Sequence, residues 1–186
     1  MTDKRDFVVG VLGVATYATI NFFEQWAKTF PAEKEWDRPR IIIDNNCTLP
    51  SRVRALLYNE NVDRLVKGMT ASIRTLIQAG ASRILIACNT AHVFLPAIYE
   101  KFPSARDFIC VVDICVEHLK RRGVKKVFLL ASEGTILTGL YQQKFADAGI
   151  DCNAQPPEEF HVLRDKCADK LGDINFSTRC QLRLKV

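Results

Sequence analysis

The stretch RILIACNTAHVF, residues 83–94, runs from aliphatic side chains directly into a cysteine, an amide, a hydroxyl and an imidazole. The aliphatic part is short and rich in isoleucine and leucine, which is typical of a strand buried on both faces of a parallel sheet. Polar side chains that follow such a strand lie where open parallel sheets bind their ligands. The stretch therefore predicts a buried parallel strand and a functional loop that begins at Cys88.

The segments on either side of this strand alternate between strand-like and helix-like patterns. Strands are predicted at 7–13, 38–44, 82–87, 108–113 and 125–131, and helices at 18–30, 59–78, 91–102, 114–123, 136–149 and 158–171. Alternating strands and helices call for parallel sheets covered by helices. We expect an α/β fold of two lobes, each a parallel sheet flanked by helices, with residues 1–107 carrying the Cys88 loop and residues 108–186 forming the second lobe.

Two of these helices carry more specific expectations. The helix at 18–30 should carry Ile20, Phe23, Trp26 and Ala27 on one face. The helix at 59–78 has the most regular apolar spacing in the chain, and Gly80 follows it where a left-handed residue would end a helix.

Composition excludes several classes of protein. The 186 residues are 48% hydrophobic and 25% charged, with a net charge of +5, which suits one soluble domain or two small lobes. That charge is far from the dense basic stripe of a nucleic-acid binder, and no apolar run predicts membrane insertion or secretion. Seven cysteines without a CxxC pair or zinc-ligand spacing predict free thiols in a reducing, cytoplasmic compartment and no metal site.

The loops that follow the predicted strands offer thiol chemistry. They contain a cysteine, amides, hydroxyls and an arginine, but no phosphate-cradling Gly-Lys motif and no cluster of carboxylates. Cys88 stands at a strand end ahead of a helix, where backbone N–H groups and the helix dipole favour the thiolate. The alternative is a cysteine that only packs at a strand end. His92, one turn further on, either polarises the loop or caps and packs it.

Three motifs in order resemble the PLP-independent aspartate/glutamate racemases. ACNTAH resembles that family's first cysteine motif, NNCTLPSR its second-strand loop and ASEGTILTGLY its Gly-Thr motif, and the resemblance runs from about residue 7 to about residue 170. Within the family the chain looks most like the aspartate racemases of microcystin-type peptide biosynthesis clusters. The resemblance implies a homodimer that racemises a small acidic amino acid, with aspartate favoured, using thiols and no cofactor.

The resemblance also implies a role for each matched residue. Cys88 would be the catalytic thiol that removes the α-proton, while Asn89 and Thr90 hold the α-carboxylate. Arg52, helped by Asn45, would bind the side-chain carboxylate through two parallel hydrogen bonds. Further substrate contacts are implied for Thr135 and His161 from the second lobe.

Two departures from the family pattern bear on activity. The first loop, GVATYAT, lacks the family's Gly-Met-Gly-Pro run, and the second catalytic motif, Gly-Cys-Thr-Glu, does not occur, which leaves Cys167 and Cys180 as candidates. We therefore expect a second lobe that is incomplete or divergent and a weak or inactive racemase. The alternatives are a non-catalytic, dicarboxylate-binding remnant and a relative that uses one cysteine for decarboxylation or isomerisation.

Overall fold

A computed structural model describes residues 7–103, 108–154 and 156 of the chain. The chain divides into two compact units, Met1–Cys110 and Val111–Val186. In both units, parallel strands alternate with helices along the chain. The predicted α/β class, with parallel sheets flanked by helices, is therefore confirmed.

The first unit is a three-stranded sheet with strand order β2-β1-β3. Its elements are β1 (Val9–Gly13), α1 (Thr16–Thr29), β2 (Ile41–Asn45), α2 (Arg52–Tyr58), α3 (Val62–Gln78), β3 (Arg83–Ile86) and α4 (Leu95–Lys101), with short 3₁₀ helices at Glu35–Asp37 and Thr90–Phe94. Both pairings are parallel, with Val11 opposite Ile43 on one side and Leu85 on the other. The carboxyl ends of all three strands consequently meet at one edge, which we call the carboxyl edge.

The core of this unit lies between β1 and α3. Every residue of β1 is buried, as expected for the central strand. Leu65, Met69, Ile73 and Leu76 form one buried stripe along α3, and burying each such side chain contributes about 1.5–3 kcal/mol. The predicted amphipathic helix is confirmed, and Gly80 follows it with the expected positive φ of 95°.

The apolar face of α1 is not buried within the single chain. Ile20 is 57% exposed and Phe23 41% exposed, Ala27 is exposed, and Trp26 is only half-buried. The buried residue of α1 is Thr19, near the helix start, where the helix leaves β1. Apolar spacing marks the side of a helix that excludes water, but it does not say that the covering surface belongs to the same chain.

The second unit contains a two-stranded parallel sheet of β4 and β5. Its described elements are α5 (Val111–Arg121), β4 (Lys126–Leu129), α6 (Glu133–Leu137), α7 (Leu140–Asp147) and β5 (Asp151–Ala154). The strand predicted at 108–113 is wrong: Phe108 makes only a single parallel bridge to Ile84, and Val111 already begins α5. Val112 and Leu119 are the buried positions of that helix, and a short apolar run of this kind does not distinguish strand from helix.

Other boundaries also moved. The helix predicted at 136–149 is divided into α6 and α7 by Gly139, which adopts a φ of 66°. The sequence patterns missed α2 and β5, which have seven and four residues. The helix predicted at 158–171 lies outside the described residues. Among the described helices, none combines the length and the apolar character needed to cross a membrane.

Candidate functional site

The carboxyl edge brings together the loops that follow the first three strands. The backbone N–H of Asn46 donates to the carbonyl of Gly13 at 2.9 Å, which ties the loop after β2 to the end of β1. The N–H of Ala87 donates to the carbonyl of Leu12 at 2.9 Å, which ties the loop after β3 to the same strand. Side chains on all three loops are therefore held at one place.

Cys88 lies two residues beyond β3, half-buried and with a free thiol. Its side chain packs against the apolar core of the first unit. Asn89, which is half-buried, and Thr90, which is buried, begin the 3₁₀ helix that follows. The helix predicted at 91–102 thus starts as a 3₁₀ turn, and α4 begins only at Leu95 with a proline in its first turn, a position that proline favours.

His92 caps this loop from inside the protein. It is 2% exposed, and its Nδ1 lies 2.8 Å from the carbonyl oxygen of Cys88 and 3.3 Å from that of Asn89. A carbonyl can only accept, so Nδ1 carries a proton and donates it. Of the two roles open to His92 from the sequence, capping and packing is the one that the contacts describe.

Arg52 is the first residue of α2, which begins where the loop after β2 ends. Ser51 caps this helix, accepting from the backbone N–H of Arg54 at 3.3 Å. One guanidinium nitrogen of Arg52, Nη1, donates to the carbonyl of Pro50 at 3.2 Å, while its Nε is buried without a hydrogen-bond partner among the described residues. A buried donor without a partner costs about 1–3 kcal/mol, and a ligand oxygen would recover that cost.

The helix that carries Arg52 is joined to the cysteine loop by packing. Helix α2 contacts both α3 and the 3₁₀ helix Thr90–Phe94. The arginine and the thiol thus start from neighbouring elements on the carboxyl edge. Both Arg52 and Cys88 belong to segments that pack against the core of the first unit.

Asn45, the last residue of β2, is the centre of a polar cluster. Its Oδ1 accepts from the hydroxyl of Thr19 at 2.9 Å, and its Nδ2 donates to Thr16 Oγ1 at 3.2 Å and to Cys47 Sγ at 3.3 Å. Thr16 Oγ1 and Cys47 Sγ lie 3.1 Å apart. Asn45, Thr16 and Cys47 are exposed, while Thr19 is buried.

Sequence reasoning assigned no role to Thr16, Thr19 or Cys47. A usable signal was present, because both threonines follow β1 and the cysteine follows β2, and these are positions from which a parallel sheet directs side chains toward a ligand. What the sequence does not give is the pairing of the two loops across the end of the sheet. That pairing makes Asn45 the residue they share.

Thr135 and His161 are placed differently from the others. Thr135 belongs to the second unit, where it is buried in α6 with its hydroxyl 3.1 Å from that of Ser132. His161 lies outside the described residues, as do Cys167 and Cys180. Of the predicted site residues, the structure brings five from the first unit to the carboxyl edge: Asn45, Arg52, Cys88, Asn89 and Thr90.

This set of groups suits a small carboxylate and a proton-transfer step. A guanidinium and an amide donate to carboxylate oxygens, and a thiol can exchange a proton. Within 7–103, 108–154 and 156, no three His, Cys, Asp or Glu side chains are grouped as ligands for a metal ion.

Comparison with known proteins shows a family and a fold. A family model described as Asp/Glu/Hydantoin racemase matches residues 9–165. Among solved structures, an aspartate racemase from Picrophilus torridus superposes with a TM-score of 0.75 at 26% identity, covering 94% of this chain and 72% of that one.

Two more distant structures share the fold. An aspartate racemase homologue from Pyrococcus horikoshii has a TM-score of 0.63 at 22% identity, covering 83% of this chain and 67% of that one. A glutamate racemase from Campylobacter jejuni has a TM-score of 0.55 at 20% identity, covering 90% of this chain and 68% of that one.

Proposed function

Because the chain belongs to the Asp/Glu/hydantoin racemase family, we propose that it inverts the α-carbon of an acidic amino acid, with aspartate as the preferred substrate. The observation that carries the proposal is that Cys88 and Arg52 begin from neighbouring elements at the carboxyl edge, where the Nε of Arg52 is buried without a hydrogen-bond partner among the described residues. The likeness to the Picrophilus torridus aspartate racemase supports the choice of aspartate.

Cys88 is the general base in this proposal. Its thiolate removes the α-proton and becomes a thiol. A second thiol, for which Cys167 and Cys180 are the candidates, gives its proton to the opposite face of the carbanion and becomes a thiolate. The half-buried position supports this role, because partial exclusion of water strengthens the fixed dipoles around a developing charge. The hydrogen bond from His92 to the Cys88 carbonyl holds the backbone that carries the thiol, so the sulfur reacts from a defined position.

Arg52 binds the side-chain carboxylate. Its planar guanidinium can form two parallel hydrogen bonds to a carboxylate, and its Nε is the buried donor that such a ligand would engage. Asn45 assists from the start of the same loop. The substrate is thereby selected for an acidic side chain before any proton moves.

The remaining proposed contacts are those to the α-carboxylate and those from residues of the second lobe. Asn89 and Thr90 lie beside Cys88 in the chain and hold the α-carboxylate within reach of the base. Thr135, in α6 of the second unit, is kept as a substrate contact because the resemblance implies it. His161 is kept as a further substrate contact on the strength of the resemblance alone.

The chain acts in the cytoplasm as a homodimer in this proposal. Support for the dimer comes from Tyr17, Ile20 and Phe23, which repeat every three residues on α1 and are between 41% and 57% exposed. An apolar stripe of this kind on one helix is typical of a surface that another chain covers.

The finer resemblance to racemases of microcystin-type peptide biosynthesis clusters stays a hypothesis. The matches reported above are to aspartate and glutamate racemases and do not support that subtype.

The deciding experiment measures α-proton exchange in deuterated water. Each enantiomer of aspartate is incubated with the protein without added cofactor, the α-proton signal is followed by NMR, and inversion is followed by circular dichroism. Loss of the α-proton signal from at least one enantiomer, with none from alanine, is expected. No exchange of either enantiomer would contradict the proposal, and product from a malonate or maleate would favour a one-cysteine decarboxylase or isomerase instead.

A further inference from the structure

We propose that Thr19 is a positioning residue that turns the Asn45 amide so that its N–H donors, and not its carbonyl oxygen, face an incoming carboxylate. This inference rests on the proposed function for the identity of the ligand. The orientation itself is a property of the first unit and can be measured without any ligand.

The first argument is the division of partners around Asn45. Thr19 is 5% exposed, and its hydroxyl lies 2.9 Å from Asn45 Oδ1 and 3.0 Å from the carbonyl oxygen of Ala15. The single hydroxyl proton of Thr19 is shared between these two oxygens, and the amide oxygen of Asn45 faces inward to it, while Nδ2 faces Thr16 and Cys47, which are both exposed. Rotation of the amide by 180° would exchange these partners and present an acceptor to solvent.

The second argument is steric and concerns Gly13, the last residue of β1. A Cβ atom on Gly13 would lie 2.8 Å from Asn45 Oδ1 and 2.9 Å from Thr19 Cγ2, and it would also overlap Thr19 Oγ1. Only a residue without a side chain lets the threonine and the asparagine meet across the end of this strand. The contact between Thr19 and Asn45 thus depends on the absence of a side chain at Gly13.

The third argument concerns what the outward N–H groups can bind. One of the two acceptors now near Nδ2 is the sulfur of Cys47, and a thiol sulfur is a weak acceptor. A carboxylate oxygen is a much stronger acceptor for the same N–H. An anionic ligand arriving from solvent can replace the sulfur with a net gain, whereas a flipped amide would meet that ligand with its carbonyl oxygen.

The orientation is tested directly by NMR on the unliganded protein. In a ¹⁵N-edited NOESY spectrum, the Asn45 side-chain NH₂ protons should show cross-peaks to the β-protons of Thr16 and Cys47. Dominant cross-peaks to the side chain of Thr19 instead would show that the amide is flipped and would overturn the proposal. This measurement needs neither substrate nor catalysis.

The positioning role is tested with a matched pair of variants. Thr19→Val keeps the shape but removes the hydroxyl, and aspartate binding measured by calorimetry should weaken roughly tenfold, which corresponds to one lost hydrogen bond. Thr19→Ser keeps the hydroxyl and should bind within about twofold of the parent, on the same scale. Equal affinities for all three folded proteins, or an equal loss in both variants, would overturn the role assigned to the hydroxyl.

The two proposals fail in different ways. If the parent protein binds no acidic amino acid, the proposed function fails, while the NOESY pattern still decides whether Thr19 orients Asn45. If Thr19→Val does not fold, the Thr19→Ser affinity and the NOESY pattern of the parent decide it together.

Discussion

The buried imidazole of His92 donates from Nδ1 to the backbone carbonyl of Cys88, 2.8 Å away, so that a side chain one turn along holds the peptide of the proposed catalytic residue. A carbonyl at the end of a strand would otherwise need water or another donor. Within the motif Cys-Asn-Thr-Ala-His, the last side chain therefore holds the backbone of the first residue in place.

Replacing His92 should weaken the fold around this loop. His92→Leu removes the donor from the Cys88 carbonyl, and the free energy of unfolding should fall by about 1–3 kcal/mol in urea denaturation. His118→Leu is the control, because His118 is exposed on α5, and it should leave the midpoint nearly unchanged. Equal midpoints for both variants would show that the His92 bond contributes nothing.

Replacing Cys88 should remove proton transfer but not binding. Cys88→Ser keeps the size of the side chain but loses the acidic thiol, and α-proton exchange of aspartate should fall by about a hundredfold or more. Calorimetry should show nearly unchanged affinity. Cys115→Ser, in the second unit, is the matched control, and an equal loss of exchange in both variants would contradict the assignment of Cys88.

Replacing Arg52 should relax the preference for an acidic side chain. Arg52→Lys keeps the charge but loses the planar fork, so aspartate affinity should drop roughly tenfold or more, as for the loss of one charge-assisted bond. Arg54→Lys is the control, because Arg54 is exposed and pairs with Glu60 at 2.6 Å. An unchanged ratio of aspartate to alanine binding in Arg52→Lys would exclude Arg52 as the anchor.

Changing the exposed stripe of α1 should change the oligomeric state. Ile20→Glu places a charge at the centre of the proposed dimer surface, and sedimentation velocity should show a shift from dimer to monomer. Leu137→Glu makes the same change at a residue that is 52% exposed on α6, and it should leave the dimer intact. A parent protein that sediments as a monomer would refute the proposed surface.

The half-buried thiol of Cys115 should react more slowly than the exposed thiol of Cys47. Burial raises the pKa of Cys115, so the folded state holds this proton more tightly than the unfolded state, in which a cysteine has a pKa of about 8.5. The stabilisation from this group is complete below that pH and decreases as the pH rises above it. Mass spectrometry at pH 8 should therefore find the exposed Cys47 alkylated by iodoacetamide well before Cys115, and equal rates would contradict this.

Periodic patterns were enough to predict the elements that pack within one unit. The apolar spacing along 59–78 identifies α3, and Gly80 marks its end, because both features are local and depend only on helix geometry. The aliphatic runs before Gly13 and Cys88 predict buried strands for the same reason. The predicted strand at 108–113 is wrong because six residues are too few to separate the two-residue period of a strand from the 3.6-residue period of a helix. In the structure, α5 already begins at Val111.

By itself the sequence determined the class of fold, the parallel arrangement and the cysteine loop with its family, because strand-helix alternation and short motifs are written along the chain. Only the tertiary structure decided which loops share an edge, and with them the cluster of Thr19, Asn45 and Cys47. It also placed the His92 side chain against the carbonyl of Cys88, and it left the apolar side of α1 exposed within one chain. These relationships join residues from different elements, and strand order and helix packing, which set their distances, are not properties of any local pattern.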